Sequence, residues 1–215
     1  MILLKVLGFA VMFCLAYLAG AIPFGLIVGK VFYGVDVRQH GSGNVGTTNV
    51  FRVLGKKAGV AVMVLDIMKG YVPAALAAAL FSPWHAIFIA AAPVVGHIYS
   101  VFLKGSGGKG VATGAGVVLA LVPLAFVICF STWIALIIVT RYVSVASLTV
   151  ACLVPFLVIL LGDPLPYEIA AVLVALIVWW AHRGNIRRLL NGTESRVNLP
   201  WPGRHPAVPG SGGGS

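Results

Sequence analysis

Seven apolar stretches, parted by short glycine-rich or basic segments, decide most of what this chain can become. A bilayer's hydrocarbon core takes roughly 20 apolar helical residues to cross. Leu3–Val28, Gly59–Phe81, Trp84–Leu103 and Val143–Leu161 each meet or approach that length. With no water there to satisfy N–H and C=O groups, only helices or closed barrels can span, and apolar runs this long without alternation read as helices. The composition agrees, since 60% hydrophobic against 9% charged residues leaves too little polar surface to cover a soluble domain. The expected fold is all-α: a polytopic integral membrane protein of about seven transmembrane helices, with its polar motif loops on the cytoplasmic face.

The count of seven turns on Val111–Thr140, which is longer than one crossing and shorter than two comfortable ones. Pro123 near its middle predicts a tight turn between two short or tilted helices. Ile169–Ala181 supplies the last span. With the N-terminus outside, seven crossings place Lys30, Arg38, Arg52, Lys56, Lys57, Lys104, Lys109, Arg141 and the arginines from Arg183 to Arg204 on the cytoplasmic side. Asp163 and Glu168 then fall outside, and only Lys5 stands against the positive-inside rule. Six crossings would throw the arginine-rich tail to the opposite face. The first stretch is too long for a signal peptide and lacks a small-x-small cleavage site. Cys14, Cys129 and Cys152 lie inside apolar runs without paired spacing and read as small buried hydrophobes.

Seven crossings bring three polar segments to one face. In the first, residues 38–57, Gly41-Ser42-Gly43-Asn44-Val45-Gly46-Thr47-Thr48-Asn49 packs amides and hydroxyls among glycines, with Arg52 following on a short helix as a planar charge. A turn with a helix cap fits the same residue types. In the second, residues 97–113, Lys104-Gly105-Ser106-Gly107-Gly108-Lys109-Gly110 allows positive φ and predicts inward-turned N–H groups, a nest for an anion at the start of a helix from Val111. A flexible connector between two spans fits it equally well. The third, residues 182–197, carries His182 and Asn185, three apart and on one face if the helix continues. Its one acid, Glu194, is expected to pair with Arg183 or Arg196, while Arg187 and Arg188 suit lipid headgroups. Asp66 and Lys69 lie one turn apart within a span, where charges are costly unless paired, and read as an ion pair bracing the polar site. Arg141 with Ser144 is expected to do similar work, and His97 faces either the core or the glycine loop.

Several function classes are disfavoured. The net charge of +10 fits anionic headgroups or substrates at a membrane, and no nucleic acid is expected. Lys109 is followed by Gly110, so the magnesium-binding hydroxyl of a P-loop is missing. Five carboxylates in the whole chain, two of them placed outside, make a two-metal site implausible, and no metal or other cofactor is expected. No histidine has an aspartate five residues on, so the dyad of acyl-CoA acyltransferases is absent. A transporter for an anionic metabolite would use similar basic residues, but at mid-depth and open to both faces.

GSGNVGTTNVFRVLGKK, GHIYSVFLKGSGGKGVATGAGV and HRGNIRRLLNGTE resemble the motifs of the bacterial acyl-phosphate:glycerol-3-phosphate acyltransferases, the PlsY family. The resemblance extends through LDIMKG and RYVSVAS and stops near Val197. It implies a bacterial inner-membrane enzyme that acylates the first hydroxyl of glycerol 3-phosphate from a fatty acyl phosphate, releasing inorganic phosphate and lysophosphatidic acid. It implies an essential serine and arginine, here Ser42 and Arg52, a phosphate-binding glycine loop with Lys109, a histidine and asparagine at His182 and Asn185, and a structural Glu194. Thr47 and Ser106 are small variations on the pattern. The chemistry suits those residues: two phosphates must be held together and a hydroxyl aligned with an acyl carbon. On that reading Arg52, Lys109 and the loop bind phosphate, Ser42 and Asn185 orient, and His182 is the general base or an orienter. Gly43, Asn44, Thr47, Thr48, Asn49, Lys104, Gly105, Ser106, Gly107, Gly108 and Gly110 are expected around the substrates. No obligatory protein partner is inferred. Residues 1–197 are expected to form one transmembrane catalytic domain, and 198–215 a disordered Pro/Gly/Ser-rich tail that ends in a cloning remnant.

Overall fold

The computed structural model describes residues 2–197. The tail expected to be disordered, 198–215, lies outside the described residues. Ten α-helices carry the described chain, and among the described residues there is no strand. They are α1 (Ile2–Ala21), α2 (Phe24–Tyr33), α3 (Thr47–Leu54), α4 (Lys56–Leu80), α5 (Pro83–Ile98), α6 (Val111–Leu121), α7 (Pro123–Thr140), α8 (Val143–Leu160), α9 (Leu165–Ala181) and α10 (Arg183–Leu190).

Each predicted apolar stretch is helical, but the breaks fall differently. The first span is not continuous: Pro23 has no N–H to extend α1, so the chain turns by 46° into α2, which runs on past Val28 to Tyr33. α5 ends at Ile98, short of Leu103, and Val101–Leu103 form a separate 3-10 turn. Val111–Thr140 does divide at Pro123, which opens α7 after a single joint residue, Val122. At 11 residues α6 rises about 16 Å, well under the ~30 Å of hydrocarbon. By length and hydropathy α4, α5 with its following turn, α7 and α8 can each cross, and the bent pairs α1–α2 and α9–α10 bring the number to six, with α6 a shorter apolar helix beside them. The cysteine expectation is corrected for two positions: Cys129 is buried, but Cys14 and Cys152 are exposed on outward helix faces.

α1 packs on α5, α4 on α5 and α6, and α7, α8 and α9 pack in sequence. The core divides accordingly, with Ala16, Ala77, Ala86 and Ile89 between α1, α4 and α5, and Ala125, Leu157 and Val158 between α7 and α8. Lipid tails are as apolar as leucine, so helices here associate through close packing, which small residues permit. The α4–α6 crossing shows it. A Cβ on Gly116 would overlap the carbonyl of Ile67, and one on Gly70 would overlap the carbonyl of Thr113. α6 therefore lies backbone to backbone against α4, and its N-terminus is held at a set place.

Gly116→Ala should force these backbones apart, costing about 1–3 kcal/mol as overpacking does, and lower the thermal midpoint of the detergent-solubilised protein by several degrees. An unchanged midpoint would mean that the crossing is looser than described.

Candidate active site

The break between α1 and α2 frees carbonyls that water cannot reach, and buried polar side chains take them. Lys69 Nζ donates to the Ile22 carbonyl at 2.8 Å and Ser100 Oγ to the Ala21 carbonyl at 2.6 Å. Lys69 also pairs with Asp66 Oδ1 at 2.8 Å, both side chains almost wholly buried. The other Asp66 oxygen accepts from Thr47 Oγ1 at 3.4 Å, and His97 Nδ1 lies 3.8 Å from Oδ1. The intra-span ion pair thus joins α1, α3, α4 and α5 at the head of the site. Predicted only as core or loop facing, His97 in fact stands between this pair and the glycine loop.

In the first polar segment, Gly41 and Gly43 take positive φ, 62° and 70°, which lets the chain fold back over α3. Asn49, expected at the substrates, is only 2% exposed, and its amide is committed to the loop. Nδ2 donates to the carbonyls of Val37 and His40, and Oδ1 accepts from the Ser42 N–H. Its place is to shape the loop that presents Ser42. Asn44 ties the segment to the next one, donating to the Gly107 carbonyl at 3.4 Å while accepting from the Gly46 N–H. A half-open cavity of about 310 Å³ lies between the two, lined by Arg38, Ser42, Asn44, Leu103, Ser106 and Gly107. Arg38 is gripped by Asp36 at 2.6 Å, and that guanidinium holds the Asp36 carboxyl well below the usual range. Ser42, Thr48, Arg52, Lys104, Gly105 and Ser106 are all solvent-facing.

The glycine loop corrects the expected nest. The N–H groups of Gly105, Ser106, Gly107 and Gly108 turn back onto the carbonyls of Ser100, Leu103, Ile98 and His97, at 2.8–3.1 Å. The loop closes the C-terminal end of α5, and its glycines are needed for close approach: a Cβ on Gly107 would overlap the His97 carbonyl, and one on Gly108 the His97 ring. The open donors come one step later. Gly110, at φ 78°, turns the chain into α6, and among the described residues nothing accepts from the N–H groups of Lys109 to Thr113. The anion-binding capacity of the segment lies at that helix N-terminus.

The third segment meets it there. Lys109 Nζ donates to Asn185 Oδ1 at 2.5 Å, and Asn185 Nδ2 donates to Glu194 Oε1 at 2.6 Å. Glu194 also accepts from Ser144 Oγ of α8 at 2.8 Å and from Arg188 Nε at 2.7 Å. Arg188 is therefore the partner of Glu194, and the expected pairing with Arg183 or Arg196 is corrected. Arg183 stacks on Trp180, and Arg196 on Tyr142. Ser144 serves Glu194, and Arg141 enters through its backbone carbonyl, which accepts from the Val197 N–H. Burial would raise the Glu194 carboxyl, but hydrogen bonds from Asn185, Ser144 and Arg188 outweigh it and keep the acid below its ordinary value. Burial pushes Lys109 down to about 8 against the pull of Glu194, with the charges of Arg188 and Arg52 adding to the effect. The helix does not continue straight past His182. The chain bends by 56° between α9 and α10, and His182, 3% exposed, sits at the joint. Its Nδ1 lies 2.8 Å from the Val178 carbonyl, which can only accept, so Nδ1 carries the proton, and in the neutral ring Nε2 keeps its lone pair.

This constellation has known counterparts. The family model described as glycerol-3-phosphate acyltransferase matches residues 10–192. A glycerol-3-phosphate acyltransferase of Geobacillus kaustophilus is 46% identical over 195 residues, covering 91% of this chain and 98% of the relative. One of Rubrobacter xylanophilus is 46% identical over 183 residues, covering 85% and 92%. Two crystal structures of PlsY, an integral membrane glycerol 3-phosphate acyltransferase, superpose at 41% identity over 89% of this chain and 96% of theirs. Their TM-scores are 0.86 for the glycerol 3-phosphate form and 0.84 for the lysophosphatidic acid form. By sequence over nearly its whole described length and by fold, this chain belongs to the PlsY family of integral membrane glycerol-3-phosphate acyltransferases.

Proposed function

We propose that the enzyme transfers the acyl group of a fatty acyl phosphate to the sn-1 hydroxyl of glycerol 3-phosphate, giving lysophosphatidic acid and inorganic phosphate. The observation that carries this reading is the Lys109–Asn185–Glu194 chain of hydrogen bonds, which ties the third segment to the start of α6, where among the described residues nothing accepts from the first N–H groups. The solved relatives are described with glycerol 3-phosphate and with lysophosphatidic acid, the acceptor and the product of this reaction. An acyl phosphate is a mixed anhydride, so neither ATP nor a covalent enzyme intermediate is required. The hydroxyl oxygen attacks the acyl carbon, the ester bond forms, and the carbon–oxygen bond to phosphate breaks with its electron pair leaving on inorganic phosphate. The hydroxyl proton goes to His182 Nε2. Lys109, Arg52 and the α6 N–H groups neutralise the two phosphates and the developing charge. Asn185, held between Lys109 and Glu194, fixes the ammonium, and Ser42 with Asn44 and Ser106 lines the cavity through which the acceptor arrives. The active site and C-terminus face the cytoplasm of the bacterial inner membrane, with the N-terminus outside.

Purified protein given palmitoyl phosphate should release inorganic phosphate only when glycerol 3-phosphate is present, and Lys109→Ala should cut the rate by about 10²-fold or more, as loss of a transition-state donor does. Acyl-CoA replacing acyl phosphate without loss of rate would overturn the assignment of donor. Proteoliposomes that take up glycerol 3-phosphate while the protein releases no phosphate would favour transport instead.

Because the lysine binds phosphate as an ammonium and the phosphate monoester is dianionic only above about pH 6, affinity for glycerol 3-phosphate should be highest between there and about pH 8 and fall as the pH rises through that value. Lys109→Arg, which stays charged, should keep whatever affinity it has up to pH ~10. A wild-type KM that is flat over the same range would contradict a phosphate contact by Lys109.

His182→Gln should lower kcat by about 10²-fold or more, the lower end of general-base effects. A variant that keeps most of its activity would move the proton to the departing phosphate and leave His182 as an orienter.

A further inference from the structure

We propose that His97 is a positioning residue for the acyl-transfer site: its imidazole is the wedge that sets the height of Gly108 and so places the Lys109 ammonium against Asn185. The proposal rests on the reading of Lys109 as a phosphate ligand. His97 is 7% exposed, at the last turn of α5. It pins the loop from two sides. Its carbonyl accepts the Gly108 N–H at 3.0 Å and fills the space of a side chain at Gly107, while its Nε2 fills the space of a side chain at Gly108. The wedge itself is braced. Asp66 Oδ1 stands 3.8 Å from Nδ1, and Asp66 is held by Lys69 at 2.8 Å and reached by Thr47. Lys69 is in turn tied to the Ile22 carbonyl where α1 breaks. Any shift at Gly108 passes directly to Lys109, because the next residue, Gly110, turns at φ 78° into α6, itself locked against α4.

This gives the glycine at 108 a cause other than ligand contact. Its N–H is spent on α5, so the residue is small because an imidazole occupies the place of its side chain. A double-mutant cycle separates the two causes. Gly108→Ala should raise the KM for glycerol 3-phosphate by about tenfold or more, within the loss that a ~1 Å misplacement produces, with a smaller change in kcat. His97→Ala should raise it less, and the double variant should bind better than Gly108→Ala alone, because the clash is gone. Thermal midpoints in detergent should show the same non-additivity. A merely structural histidine would lower the midpoint and the active fraction and leave KM alone.

Losses that multiply in the double variant, in both KM and midpoint, would overturn the proposal. If Gly108→Ala does not fold, His97→Asn decides: a raised KM supports the wedge, and an unchanged KM at full stability overturns it. Wild-type protein without glycerol 3-phosphate-dependent phosphate release would sink the substrate reading, while the midpoint cycle would still decide the His97–Gly108 contact.

Discussion

A helix that breaks inside a bilayer leaves carbonyls that the protein itself must satisfy, and the groups that do so here surround the candidate site. Lys69 takes Ile22, Ser100 takes Ala21, and the Tyr17 hydroxyl takes Tyr99. The glycine loop takes His97 and Ile98, and Arg183 takes Trp180. A continuous helix would need none of these donors and would present none of these side chains. The breaks at Pro23, after Ile98 and at His182 are what bring polar residues to one place and keep them there.

Charge is distributed with the same economy. Cations outnumber acids threefold, 15 to 5, yet the two acids at the centre each hold several partners. Asp66 gathers Lys69, Thr47 and His97, and Glu194 gathers Asn185, Ser144 and Arg188. Glu194 takes up the charge of Arg188, and both acids tie the surrounding helices together. Removing one partner of such a buried charge strands the other, which gives Asp66 and Glu194 their structural weight even though neither needs to touch substrate.

Much of this was legible from residue order. Seven apolar stretches, the turn at Pro123, a short helix bearing Arg52 and the ion pair of Asp66 with Lys69 all follow from hydropathy and spacing, which act locally. Misread features depended on what lay across the bundle. Asn49 looks like a ligand-facing amide until the carbonyls of Val37 and His40 claim it. Arg188 looks like a headgroup contact until the turn at Gly192, φ 69°, brings Glu194 back to it. Residue order leaves His97 facing either the core or the glycine loop, and only the packing of Gly108 against its ring decides between them.

By itself the sequence determined an all-helical membrane protein, its family, and which three segments carry polar chemistry, because apolar length and motif spacing are properties of consecutive residues. Only the tertiary structure decided how those segments are used. Glycines that could have formed a nest instead cap α5, and the free donors move to the start of α6. The reason is competition for hydrogen bonds. A backbone N–H serves whichever acceptor the fold places within 3 Å of it, and that acceptor, the end of α5, is set by packing against α1 and α4 that no local stretch of residues encodes.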